Sequence, residues 1–155
     1  MNDTSPLEMT FMPNTIEHLG VRMYSTLPPV LAELVANSYD ADASEVHIHL
    51  IDGSAKQIVI SDSGHGMSYD DINQKFLRIG RNRRENNSQT SPGGRPVIGK
   101  KGLGKLAFFG ISHRIDISTR NQNICNIFSL NWDDIIHSDG TYNPTITAYN
   151  EPCVS

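Results

Sequence analysis

A chain of 155 residues with 37% hydrophobic and 19% charged positions carries enough apolar material for one domain with its own core, which excludes a disordered tether. Its net charge of −4 gives no bulk attraction to nucleic acid or to an anionic membrane surface, and no apolar run approaches the roughly 18 residues of a membrane-spanning helix. Cys125 and Cys153 stand apart without a CxxC or a Cys/His cluster, so no disulfide framework and no zinc site is expected, and a reducing, cytoplasmic setting follows.

The N-terminus, MNDTSPLEMT, lacks the basic start and apolar stretch of a signal peptide. Residues 1–13 read as an irregular lead-in, and Asn14 to Leu19 as a short helix with Asn14 as N-cap and Gly20 as its stop. Pro28 and Pro29 suit the first turn of a helix whose main stretch is Leu31 to Asp42, LAELVANSYDAD. Within it Leu31, Leu34, Val35 and Ser38 are placed to face a core. Glu45 to Ile51 alternates as a strand, with Val46, Ile48 and Leu50 on one face, and Asp52-Gly53 signals a hairpin turn. Gln57 to Asp62 returns as a buried strand. Ser68 to Ile79 reads as a helix, with Ser68 and Asp71 at capping-box spacing and Ile72, Phe76 and Ile79 on its apolar face. From Gly80 to Pro96 the apolar periodicity collapses into Asn, Ser, Gly and Arg, as in a lid or binding loop. Gly104 to Gly110 is a short helix, His113 to Thr119 and Asn123 to Leu130 a strand pair, Asn131 to His137 a helical turn, and Thr145 to Tyr149 a last strand. Helices between hairpin-paired strands predict an α+β fold of two layers, the mostly antiparallel sheet covered on one face by helices.

Three stretches carry chemistry. On the main helix Glu33, Asn37 and Asp40 recur at i, i+4 and i+7, so one face presents all three. A carboxylate there can deprotonate a water, and an Asn oxygen is a hard neutral ligand suited to Mg²⁺. In the second stretch, Asp62-Ser63-Gly64-His65-Gly66-Met67, a carboxylate ends a strand and two glycines permit a sharp turn and close approach to a ligand. A strand-end Asp can accept a hydrogen bond from an exocyclic amine such as that of adenine. The third, Gly99-Lys100-Lys101-Gly102-Leu103-Gly104-Lys105, precedes an apolar helix. Its glycines free backbone N–H groups for an anion, and the helix N-terminus and three lysines add positive charge. It matches neither the Walker A pattern nor the dinucleotide fingerprint.

In their order and spacing these stretches resemble the GHKL ATPases, which include Hsp90, DNA gyrase B, MutL, the MORC proteins and sensor histidine kinases. The likeness runs from about residue 14 to 150, and looks closest to MORC-type and prokaryotic Hsp90-like members. It implies a Bergerat-fold module that binds Mg·ATP and hydrolyses it slowly, with Glu33 as general base and Asn37 as the Mg²⁺ ligand. Asp40 supports that site, Asp62 reads adenine, and Gly64, Gly66 and Met67 shape the base pocket. Gly99, Lys101, Gly102, Leu103, Gly104 and Lys105 wrap the phosphates, and Gly80 to Val97 occupies the place of the family's lid. The resemblance also implies nucleotide-dependent dimerisation and a further domain in the same chain, DNA being one conceivable partner. A sensor that binds without hydrolysis is the alternative. A histidine-kinase core is disfavoured, because His18 sits too near the N-terminus for a phosphoaccepting hairpin.

One departure stands out. The family's late Gly-Thr before another strand is missing: Gly140-Thr141 lies in a turn before Pro144, leaving Thr145 or Thr147 as substitutes. The 155 residues thus read as a single ATP-binding domain cut before its last strand, with weak activity alone. His47 and His49 are expected to face solvent, and His65 to lie at the pocket mouth. Arg81, Arg83 and Arg84 belong to a solvated lid, and Trp132 is an anchor in the core or an interface.

Overall fold

The computed structural model describes residues 6–12, 26–79, 89–99 and 104–154. Strand β1 (Met9–Thr10) is followed by helix α1 (Leu27–Asp40) and the hairpin β2 (Val46–Asp52) and β3 (Lys56–Asp62). Helix α2 (Tyr69–Asp71) continues as one wide turn over Ile72–Phe76, and a 3-10 helix spans Gly104–Gly110. Then come β4 (Arg114–Asn121), β5 (Ile124–Asn131), α3 (Trp132–Ile136), β6 (Thr141–Tyr142) and β7 (Thr145–Pro152). The class is α+β with antiparallel sheets: β1 pairs with β6, β2 with β3, and β5 lies between β4 and β7. The short helix predicted at Asn14 to Leu19 lies outside the described residues, as do Arg81, Arg83 and Arg84.

Helix α1 starts where it should, with prolines in its first turn and Thr26 extended ahead of it. It ends because Ala41 leaves helical geometry and Asp42 adopts a left-handed φ of 62°, which reverses the chain. Val30 and Ser38 are its buried residues and Leu34 packs on the core, whereas Val35, expected inside, is 39% exposed. That row (Val30, Leu34, Ser38) recurs every four residues, so only a narrow stripe is covered. The predicted helix from Ser68 to Ile79 is shorter. Its capping box forms, Ser68 Oγ accepting the Asp71 N–H and the Asp71 side chain accepting the Ser68 N–H, but Leu77 already leaves the helix.

The core joins Val30, Ile72, Leu77, Ala107, Phe108, Phe109, Phe128, Leu130, Trp132 and Ile135 to Leu7, Met9 and Phe11. Residues 7–11 are therefore structural, not a loose lead-in, because pairing of β1 with β6 turns their apolar side chains inward. Trp132 is a core residue, tilted against Phe109 at 5.1 Å between ring centres. The β2–β3 hairpin differs from expectation. Its turn is Gly53-Ser54-Ala55 between the paired Asp52 and Lys56, and Ile48, Leu50, Ile58 and Val59 are exposed. Strand β3 is therefore not the buried strand its apolar run suggested, since among the described residues no further strand pairs with this hairpin. His47 and His49 are exposed on the same hairpin.

A second correction concerns the cysteines, which are joined as a Cys125–Cys153 disulfide. Strand β7 runs antiparallel to β5 with Glu151 opposite Cys125, and this brings Cys153 back to a Cα–Cα distance of 5.1 Å. The cysteine argument for a reducing compartment falls with it. Among the described residues no helix is long and apolar enough to cross a membrane.

Candidate functional site

Two segments converge at the C-terminal end of α1, and a third packs against the same helix. The first is the turn after β3. Asp62 Oδ1 accepts the Gly64 N–H at 2.8 Å, and Asp62 Oδ2 accepts the Ser38 hydroxyl at 3.1 Å. Ser38 is 4% exposed and its Oγ also lies 3.1 Å from the Leu34 carbonyl, so its single hydroxyl proton is shared between the helix and the strand-end carboxylate. Each carboxylate oxygen accepts one such bond and has lone-pair capacity for a second donor. The His65 N–H then donates to the Ala41 carbonyl at 2.9 Å.

Strand β4 completes this side. Thr119, itself buried, accepts the Met67 N–H at 2.9 Å, and the Asn121 amide donates to the His65 carbonyl at 3.0 Å. Gly66 has a φ of 67°, and a Cβ there would stand 1.8 Å from the Arg120 carbonyl oxygen. A Cβ on Gly64 would stand 2.7 Å from Asp62 Oδ1 and 2.9 Å from the Ala41 oxygen. The two glycines thus let the chain pass between α1 and β4. Met67 packs on the core.

The second segment runs from Gln89 to Gly99, bridged by Thr90 and Pro96. Asp40 accepts the Ile98 and Gly99 N–H groups, each at 2.9 Å. Asp42 accepts the Gly93 N–H at 2.7 Å and the Ser91 hydroxyl. Arg95 donates to the Ala43 carbonyl at 2.7 Å, and its guanidinium lies over the Tyr39 ring at 5.0 Å. The Ser91 hydroxyl is the main reason that the Asp42 carboxyl is held below its ordinary value. Partial desolvation opposes this, while the Gly93 amide and the charges of Arg95 and His65 reinforce it.

The third is the 3-10 helix Gly104–Gly110, which packs against α1 and brings Ala107, Phe108 and Phe109 into the core. Gly104 and Lys105 open it, while Lys101, Gly102 and Leu103 lie outside the described residues. Glu33 and Asn37 are half-buried on α1, one turn apart. Thus α1 gathers Asp40, Asp62, Gly64 and Gly99 at one end. Ser38, Asp42, Ser91, Arg95 and Thr119 were not read as site residues, because their partners are remote in sequence.

A carboxylate anchored to a helix, a glycine turn beside it and a second glycine segment thus meet at the same helix end. The chain belongs to the histidine kinase-, DNA gyrase B- and HSP90-like ATPases, whose family model matches residues 24–153. It is 41% identical over 145 residues to a Herpetosiphon aurantiacus protein named "Putative type II restriction enzyme HgiDII", with 91% of this chain and 23% of that protein aligned. It is 31% identical over 98 residues to the DNA mismatch repair protein MutL of Lactobacillus helveticus, covering 63% of this chain and 15% of the relative. To the chaperone protein HtpG of Gluconobacter oxydans it is 31% identical over 119 residues, covering 63% and 19%. The chain therefore spans less than a quarter of the length of these relatives.

Proposed function

We propose that this domain binds Mg·ATP at the C-terminal half of α1 and hydrolyses it slowly as the ATPase module of a longer protein. The observation that carries the reading is the bond from Ser38 to Asp62 Oδ2, which anchors a strand-end carboxylate on the helix that also bears Glu33 and Asn37. Asp62 takes the adenine amine, with Gly64, Gly66 and Met67 forming the base pocket. The residues fit the family's ligand in that Asp62 keeps acceptor capacity beside a turn whose two glycines pack closely between α1 and β4.

Asn37 offers a hard oxygen to Mg²⁺, and the ion when bound would neutralise phosphate charge. Glu33, one turn earlier, serves as general base for the attacking water. Lys101, Gly102, Leu103, Gly104 and Lys105 hold the phosphates by backbone N–H groups and charge, while Gly99, whose N–H is taken by Asp40, starts that stretch on α1. The strands and helices stack as a two-layer sandwich, residues 80–98 act as the lid, and nucleotide-bound copies dimerise. DNA is a partner of the whole protein, a reading supported by the printed names of two relatives, a restriction enzyme and a mismatch repair protein.

Glu33→Gln in the full natural chain tests the reaction. It keeps size and polarity but removes the base, so ATP binding persists while turnover falls by about 10²- to 10⁴-fold. Equal turnover in parent and variant overturns Glu33 as the base, and tight binding without turnover in the parent makes the domain a sensor.

A further inference from the structure

Asp42, just past the end of α1, is absent from the reading above, yet its carboxylate accepts two hydrogen bonds from the segment Gln89 to Gly99. Its left-handed backbone, φ 62°, turns the carboxylate away from the helix and toward Ser91 and Gly93. The approach is so close that a Cβ on Gly93 would stand 2.6 Å from Asp42 Oδ1. The Ser91 hydroxyl that donates to Asp42 also accepts the Arg95 N–H at 2.9 Å, and the Ser91 N–H donates to the Arg95 carbonyl at 2.8 Å. Arg95 returns to α1 through the Ala43 carbonyl and the Tyr39 ring. Two residues earlier, Asp40 receives the N–H groups of Ile98 and Gly99, where a Cβ on Gly99 would stand 2.8 Å from Asp40 Oδ2. Two carboxylates on alternate residues therefore hold one segment at two points.

We propose that Asp42 is a positioning residue for the nucleotide site, clamping Ser91 to Arg95 so that the chain reaches Gly99 in fixed register with Asp40. This rests on the ATP reading. Gly99 opens the glycine stretch assigned to the phosphates, and Gly104 at its far end begins a helix packed on the same α1. Asp42 fixes the approach to that stretch without touching the adenine side, where Asp62 is held by Ser38 and Gly64. The clamp thus acts on phosphate-bearing ligands and leaves the nucleoside alone.

The test uses Asp42→Asn and Ser91→Ala in the full natural chain. Asn tolerates the left-handed backbone, so the first variant removes charge and one acceptor without new strain. Hydrogen exchange without nucleotide should accelerate by about tenfold at residues 91–99 in both variants and stay unchanged in β4 and β5. In calorimetry ATP and ADP should each bind about tenfold more weakly, adenosine as before, and the double variant no worse than either single one. Unchanged exchange at 91–99 overturns the clamp. Faster exchange with unaltered ATP and ADP affinity overturns its role at the nucleotide site, and equal weakening of adenosine replaces positioning by general damage. A parent that binds none of the three ligands overturns the ATP reading and the nucleotide role with it. The exchange comparison, made without nucleotide, then separately upholds or overturns the clamp.

Discussion

In the proposed function, Asp62 is the residue on which recognition of the base turns. Its two oxygens are held by Ser38 and by the Gly64 amide, so the carboxylate is fixed before any ligand arrives and little ordering remains to be done on binding. Asp62→Asn exchanges a charged acceptor for an amide and sets its NH₂ against one of those two donors. A hydrogen bond to a charged group contributes about 1.5–3 kcal/mol, so ATP and ADP should both bind roughly 10- to 100-fold more weakly. Titration calorimetry with both nucleotides decides it, and undiminished affinity for both removes Asp62 from the base pocket. This carboxylate and its glycines could be singled out only in company with the other two stretches, because a strand-end Asp before Gly-x-Gly also suits a plain turn. Ser38 was legible as a core-facing residue but not as the partner of Asp62. Asp42 was not legible at all, since its acceptor contacts lie 49 and 51 residues away.

At the scale of elements, patterns carried by local chemistry were readable and those imposed by distant packing were not. Helix α1 announced itself by its prolines and by part of its apolar stripe, Leu34 and Ser38, though not by its stop. The α2 capping box was legible, but its helix gives out at Leu77, where Thr10 N–H bonds to the Leu77 carbonyl and Arg78 bridges to Thr10. Nothing near Met9 signals that its partner is Tyr142. The β5–β7 pair shows the same limit. Asn126, 2% exposed, accepts the Asn150 N–H at 2.8 Å across an irregularity in the ladder where Asn150 has a φ of 46°. Beside it, the disulfide closes a separation of 28 residues. On the chain-entropy account a loop of that size restricts the unfolded chain by on the order of 3–4 kcal/mol. Reduction, or Cys125→Ser with Cys153→Ser, should therefore lower the urea midpoint markedly and steepen the slope as the unfolded chain expands. An identical midpoint for oxidised and reduced protein would show that the bond adds no stability.

At the scale of the molecule, the sequence conveyed class and family because the three motifs keep their order along the chain. It did not convey that the strands divide into three sheets, since that depends on which edges meet. The whole-molecule property that the structure does define is response to acid. Asp42, Asp71 and Asp116 are all held below their ordinary value of 3.8. For Asp42 the first cause is the Ser91 hydroxyl, for Asp71 it is Lys75 followed by Ser68, and for Asp116 it is Ser129 followed by Arg114. A depressed folded-state value means that the unfolded chain binds more protons wherever the two states differ. Each carboxylate therefore contributes stability that is complete above about pH 4, the ordinary value, and is lost as pH falls through the lower folded value. Asp116 is exposed and Asp42 and Asp71 are half-buried with solvent access, so each share is small and screened by salt. Urea midpoints should thus be level from neutrality to about pH 5 and decline below about pH 4. Asp71→Asn should start from a lower midpoint at neutral pH and decline less steeply, because a group that no longer titrates cannot contribute to the slope. If parent and Asp71→Asn lose stability in parallel over the whole acid range, the Ser68–Asp71–Lys75 contact is not part of the acid response.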